Sequence, residues 1–382
     1  MKLKIVSEYF NSFVGVIIFV VAVLFAISFI VQLFYYLFFY LQLAFVKEQN
    51  NIENIPISVI ICAHDEAENL EIFLPLVLKQ NYPTFEVIVV NDCSEDNTED
   101  VLKIFQKQYF NLNVTTIKKD EKFTHGKKLA QTIGIKAAKY ETLLFTDADC
   151  YPENENWIKS VCSNYRTSTE IVLGYGAYEK TKGFLNKVIR FDTFFIALQY
   201  LSFALAGVPY MGVGRNLSYK KNLFFKNKGF ANHARLLSGD DDLFVNETAD
   251  SKNTKVAINA HSFTLSVPKK KFNFWLSQKK RHRTTFTRYK LKHKVLLALE
   301  PISRMLFYVC LITLLAFNFY PIIVISFFAL RLIVQMLVIY FATRKLHEKD
   351  LLLYSPIFDF IFIFIGFIIF FSRKHKNPYA WR

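Results

Sequence analysis

Val87-Ile88-Val89-Val90-Asn91-Asp92-Cys93-Ser94-Glu95-Asp96 is the stretch on which the reading of the fold turns. Four β-branched residues in succession read as a strand, and Ser94 with the acids beyond it reads as a helix start. Asp92 therefore sits where a strand gives way to a helix, a position where a lone aspartate is most often a cap. The same alternation repeats on either side. Strands are expected at 57–62, 86–91, 114–117, 142–146 and 171–173, and helices at 68–79, 95–110, 127–139 and 153–165. Short β-branched runs alternating with helical patterns mark an α/β sheet built from βαβ units. Such sheets bind ligands at the carboxyl ends of their strands, where His64-Asp65-Glu66, Asp92 and Asp147-Ala148-Asp149 all fall.

Around this stretch the composition is that of a membrane protein: 382 residues, 52% of them hydrophobic, with 41 phenylalanines. Residues 13–46 carry no charge, well beyond the roughly 20 that cross a bilayer, and read as one long or tilted helix. Three more apolar stretches close the chain, at 305–319, 322–341 and 351–371. The second holds Arg331, which at membrane depth calls for protein or water around it, so a tight hairpin or interfacial helix is an open alternative there. The segment before them, from Val295, mixes Glu300, Pro301 and Arg304 with leucines and suits the membrane surface. So does 184–209, apolar but interrupted by Arg190, Asp192 and Gln199.

The net charge of +15 does not imply nucleic acid, because of where it lies. Between Lys269 and Lys294 stand eleven Lys or Arg and no acid, next to the membrane segments. Juxtamembrane basic segments mark the cytoplasmic side and meet anionic lipid head groups. The four basic residues of 373–382 do not fit three crossings, so either one segment does not cross or the tail breaks the rule. Five cysteines, odd in number and without paired metal spacing, argue against disulfides and zinc.

Leu143-Leu144-Phe145-Thr146-Asp147-Ala148-Asp149 sets two carboxylates on one side of the chain just past a buried strand, where they can hold Mg²⁺ or Mn²⁺ against phosphate oxygens. A turn leading to Pro152 is an equally economical reading. Asp240-Asp241-Asp242 are three adjacent like charges, so at least one suits a raised pKa and the role of general base; the bland reading is a solvated acidic loop.

Taken together and in order, Ser58-Val59-Ile60-Ile61-Cys62-Ala63-His64-Asp65-Glu66, Val90 to Asp96, Gly126-Lys127-Lys128, Asp147-Ala148-Asp149, Gly239-Asp240-Asp241-Asp242-Leu243 and Gln278-Lys279-Lys280-Arg281-His282 resemble the family 2 glycosyltransferases. The resemblance implies a GT-A (Rossmann-like, nucleotide-sugar-binding) domain inserted between transmembrane helices. It divides the chain into an N-terminal helix (1–50), a cytoplasmic catalytic domain (51–294) with an interfacial helix at about 184–209, C-terminal interfacial and transmembrane helices (295–372) and a basic tail (373–382). It implies that Asp65 and Glu66 bind the donor, that Asp92 contacts its nucleoside, that Lys127 or Lys128 lies near the diphosphate, and that Asp147 and Asp149 bind metal and donor phosphates. Matching the final Asp-Leu puts the base at Asp240, with Asp241 next. Arg215, Asn216, Asp242, Gln278, Arg281 and His282 fall to the acceptor and diphosphate. His282 stands where relatives have Trp, so an aromatic floor is replaced by imidazole.

The expected protein is an inverting, metal-dependent glycosyltransferase of a bacterial inner membrane with its catalytic domain in the cytoplasm. Its expected partners are a nucleoside-diphosphate sugar, a lipid-linked or saccharide acceptor and membrane lipids. A processive polysaccharide synthase is the nearest alternative. A transporter or channel with a cytoplasmic regulatory domain is a second, resting on Arg331 and Asp359 in apolar segments.

Overall fold

The uncharged stretch at the start of the chain is helical throughout, since nothing in it breaks a helix. α1 (Lys2–Phe34) passes through a π-helical turn at Tyr35–Tyr40 into α2 (Gln42–Phe45). The computed structural model describes residues 2–47, 54–118, 126–234, 236 and 238–371, and the basic tail 373–382 lies outside them.

Next come the alternating units: β1 (Ile57–Ala63), α3 (Ala67–Leu78), β2 (Phe85–Asp92), α4 (Thr98–Gln108), β3 (Leu112–Ile117), α5 (Lys127–Ala137) and β4 (Thr142–Asp147). β1 pairs in parallel with both β2 and β4, and β2 pairs in parallel with β3. The chain thus builds outward in one direction from β1 and then returns to its other side. That reversal opens a crevice at the carboxyl ends of β1 and β4, where Cys62 lies opposite Asp147. β1 is buried along its whole length and β2 along all but its first residue, which is why they read as unbroken apolar runs rather than alternating ones. α4 starts later than the acids at 95 and 96 suggest, because the Asp96 carboxylate accepts from the Thr98 backbone N–H at 2.9 Å.

The second half of the domain adds β5 (Cys150–Pro152), α6 (Trp157–Cys162), β6 (Ile171–Gly174), β7 (Gly176–Tyr178), α7 (Phe184–Leu205), β8 (Leu217–Lys220), α8 (Lys221–Lys226), α9 (Asp242–Thr248), β9 (Thr254–Ala257) and β10 (Thr264–Ser266). The main sheet runs β3-β2-β1-β4-β8-β6-β9, and a smaller one runs β5-β10-β7. The helix expected over 153–165 is shorter because Cys150–Pro152 pair with β10, which delays the helix start to Trp157.

The chain closes with α10 (Phe272–Phe286), α11 (Leu291–Ala316), α12 (Pro321–Lys345) and α13 (Ser355–Phe371). α11 is one helix through Pro301, joining the expected surface segment to the first apolar stretch. Among the described residues five helices are long and apolar enough to cross a bilayer, α7 included. However, 67% of the apolar window of α7 is buried in the protein, against 17% for the N-terminal helix. Its Arg190 forms ion pairs with Glu348 and Asp350, in the turn between α12 and α13. Arg331 and Asp359, the argument for a transport pathway, are both buried and pair with each other at 2.9 Å. Gln32 accepts from Arg331 at 2.8 Å and Arg304 reaches Asp359 at 3.2 Å, so the charges tie α1, α11, α12 and α13 together.

Candidate functional site

The crevice beside β1 deepens into a cavity of about 1230 Å³ lined from α5, the β4–β5 turn, α7, the loop before β8, the start of α9 and α10. Its centre is built by α5. Gly134 lets that helix lie close on the sheet, since a Cβ there would come within 2.8 Å of Ile60 Cγ2. This seating brings the first turn of α5 to the strand ends. Lys127 Nζ then sits 2.7 Å from Asp147 Oδ1 and 3.3 Å from Asp240 Oδ2, joining residues 93 positions apart. Burial alone would depress the Lys127 ammonium, but Asp147, Asp240 and Asp241 outweigh it and hold it well above its ordinary value. Burial likewise pushes Asp147 up, and Lys127, Arg215 and Arg281 together bring it below the usual carboxylate range.

The three adjacent aspartates have three different surroundings. Asp240 is buried and accepts from Gln131 Nε2 at 3.2 Å as well as pairing with Lys127. Asp241 is partly buried, faces the cavity and accepts from the Gly214 N–H at 2.7 Å. Burial, then repulsion from Asp240 and Asp242, lifts its carboxyl to about 7, with Lys127 pulling the other way. Asp242 is buried and accepts from the hydroxyls of Thr285 and, at 2.8 Å, Tyr289. Its carboxyl is raised, chiefly by burial, against the pull of those two bonds.

Arg215 enters the cavity beside Gly176, whose missing Cβ leaves room for its stem. The guanidinium lies 4.6 Å from the Tyr178 ring centre and donates to Ser266 Oγ at 3.2 Å. Gln278 and Arg281 line the cavity from α10, while the His282 side chain lies outside the described residues. Five expected site residues are committed to other partners, Lys128 among them although it lines the cavity. Asn216 is in the core, where its amide bonds the carbonyls of Tyr175 and Ser262 and the Trp157 indole. Lys128 donates to the carbonyls of His233 and Leu236 and so holds these two residues against the first turn of α5. Asp65 accepts from the Glu95 N–H at 2.8 Å and, with Glu66, lines a separate acidic depression. Asp92 is buried, its carbonyl 2.6 Å from His64 Nδ1.

Asp147, Asp149 and Cys150 offer ligand atoms within 4.8 Å of one another. Burial keeps the Cys150 thiol protonated, well above its ordinary pKa, and its sulfur lies 3.3 Å from Asp149 Oδ1 and 2.9 Å from Ser266 Oγ. The two carboxylates therefore suit a hard, oxygen-seeking cation such as Mg²⁺ or Mn²⁺, and the thiol does not. Sequence reasoning assigned no role to Tyr178, Ser266, Thr285 or Tyr289. Only the Thr285–Tyr289 pair left a trace, two hydroxyls four apart in a basic stretch.

Residues 58–226 match the model of the family described as Glycosyl transferase family 2. Glycosyltransferase AglE of Haloferax volcanii is 29% identical over 203 residues, covering 51% of this chain and 62% of that protein. Poly-beta-1,6-N-acetyl-D-glucosamine synthase of Staphylococcus epidermidis is 35% identical over 109 residues, covering 28% of this chain and 25% of that protein. The chain thus spans less than two thirds of the length of these relatives. Among solved structures, the mannosyltransferase PcManGT from Pyrobaculum calidifontis, in complex with GDP-Man and Mn²⁺, superposes with a TM-score of 0.57 at 17% identity over 90% of this chain and 98% of that one. That likeness is one of fold.

Proposed function

Residues 58–226 are a family 2 glycosyltransferase domain of GT-A fold, and from that premise we propose that the chain transfers a sugar, with inversion, from a nucleoside diphosphate to a membrane-associated acceptor. The observation that carries this reading is the convergence of Asp147, Lys127, Asp240 and Asp241 on one cavity. Mg²⁺ or Mn²⁺ held by Asp147 and Asp149 would neutralise the donor diphosphate. Lys127 and Arg215 stand beside those carboxylates, where they add positive charge for the departing diphosphate.

The acceptor hydroxyl attacks the anomeric carbon, the bond to the diphosphate breaks with its electron pair leaving on the diphosphate, and the hydroxyl proton goes to a carboxylate. We assign that base to Asp241 rather than Asp240. Asp241 faces the cavity and has a carboxyl near neutrality, whereas Asp240 is buried against Lys127 and Gln131. The apolar residues in the cavity lining, Phe224, Phe225 and Phe286 with Leu297 of α11 and Ile369 of α13 among them, support an acceptor carried by the membrane. The basic face of α10, next to the membrane helices, supports a cytoplasmic-facing domain on an anionic leaflet.

The test is transfer from a panel of nucleotide sugars to membrane lipid and saccharide acceptors. Activity that disappears in a folded Asp149→Ala variant supports the reading, and equal activity in that variant refutes it. The likeness to the poly-N-acetylglucosamine synthase over 109 residues favours a second reading, chain polymerisation. Product length separates the two: a single added sugar supports the first, a ladder of long products the second.

A further inference from the structure

The carboxylate next to the assigned base is buried, and it is bonded from the membrane side. α9 begins with Asp242 and carries Asn246 one turn later, so the two side chains share a face. Both are buried, Asp242 to 9% exposure and Asn246 to 2%. The segment 285–293, which links α10 to α11, lies along that face and bonds both residues. Thr285 Oγ1 and Tyr289 Oη donate to Asp242 Oδ2, the latter at 2.8 Å. The Lys290 N–H donates to Asn246 Oδ1 at 3.0 Å, and Asn246 Nδ2 lies 2.9 Å from His293 Nδ1 and donates to the Tyr210 carbonyl at 2.7 Å. Lys290 Nζ adds a bond to the Glu247 carbonyl at 3.1 Å.

Docking a helix needs no buried carboxylate. Apolar side chains would do it without the desolvation cost, and Leu243, Phe244 and Val245 are already there. What a hydrogen-bonded anchor adds is direction: two donors on one carboxylate oxygen fix the rotation of the first turn of α9. That turn follows immediately on Asp240 and Asp241, and its orientation decides where the Asp241 carboxylate points. The same 285–293 segment continues one way into α10, which places Gln278 and Arg281 in the cavity, and the other way into α11, a candidate span.

We propose that Asp242 and Asn246 are positioning residues, through which the Thr285–Tyr289–His293 elbow between α10 and α11 holds the first turn of α9 and so aims Asp241 at the acceptor. The inference rests on the reading of Asp241 as acceptor base. On this account the elbow serves the transfer step rather than donor binding, because the bonds named above end on α9 and on Tyr210 and not on Asp147, Asp149 or Lys127. The donor side is held by the sheet and α5 and the base side by the membrane-proximal helices, and the two meet at the cavity.

The experiment uses the full-length protein in anionic-lipid vesicles, with Tyr289→Phe, Thr285→Val and Thr285→Ser. Tyr289→Phe and Thr285→Val each remove one donor to Asp242 while keeping the shape, and Thr285→Ser keeps the hydroxyl. The expected result is a kcat lowered about tenfold or more in Tyr289→Phe and Thr285→Val, a donor KM within about twofold of the parent, and near-parent kcat in Thr285→Ser. A merely structural role would not separate kcat from donor KM, nor distinguish Ser from Val. Amide hydrogen exchange over 240–246 gives a readout independent of turnover, with faster exchange expected in Tyr289→Phe and Thr285→Val and parent rates in Thr285→Ser. Unchanged kcat together with unchanged exchange in Tyr289→Phe overturns the proposal. A parent that transfers no sugar while its variants still loosen 240–246 leaves the elbow standing and sinks the glycosyl-transfer reading instead.

Discussion

Asp240, Asp241 and Asp242 are the same side chain three times in succession, yet burial and partners give each different surroundings. Asp241 faces the cavity with a carboxyl raised to about 7, so as an acceptor base it works only once deprotonated. kcat should therefore rise with pH through about 7 and fall away below it, as a pH–rate profile at saturating donor would display. Asp241→Asn should lower kcat by roughly 10²-fold or more with little change in donor KM, the span expected for loss of a general base. The same split in Asp240→Asn, with Asp241→Asn still active, would return the base to Asp240. Three aspartates in a row were legible as a site of mutual repulsion, but not which of them carries the proton. The proposed assignment to Asp241 follows from the Gly214 N–H, Lys127 and the Thr285 and Tyr289 hydroxyls, all distant in sequence. Asn216 shows the converse: adjacent to Arg215, it was read with the site, and its amide is instead used up in the core.

At the scale of elements, the site depends on α5 lying flat on the sheet. Gly134→Ala would place a methyl within 2.8 Å of Ile60 Cγ2 and should cost about 1–3 kcal/mol by overpacking, measurable as a lowered melting temperature. Activity should fall with it, since the first turn of α5 carries Lys127. The membrane helices rest on a different interaction. Arg331→Met would remove the partner 2.9 Å from buried Asp359, and breaking such a pair costs about 3–5 kcal/mol, lessened here because Arg304 remains within reach of Asp359. Unfolding in detergent and denaturant should show the loss, and adding Asp359→Leu should recover part of it. The long, strongly patterned elements were legible: β1, β2, β4, α5 and the uncharged first helix. β5 and β7 to β10 were not, because strands of three or four residues, the apolar β6 apart, carry too little pattern and form only where a neighbouring strand offers a ladder.

Over the whole molecule, a sheet that collects charge at its strand ends sits beside helices that supply an apolar wall, and the cavity joins them. If Asp147 and Asp149 hold a divalent cation there, a chelator should abolish transfer and Mn²⁺ or Mg²⁺ should restore it; full activity in the chelator would count against the metal. The sequence by itself determined the alternation that makes an α/β sheet, the apolar runs that make the membrane helices, and the carboxylates that fall at strand ends. Each of these is a local property, written in a few consecutive residues. Only the tertiary structure decided that Lys127 bridges Asp147 and Asp240, that the Lys128 ammonium bonds the carbonyls of His233 and Leu236, and that Arg331 and Asp359 pair with each other. Those outcomes depend on distances across the fold, and a charge's partner in space is set by the packing of the elements that carry it.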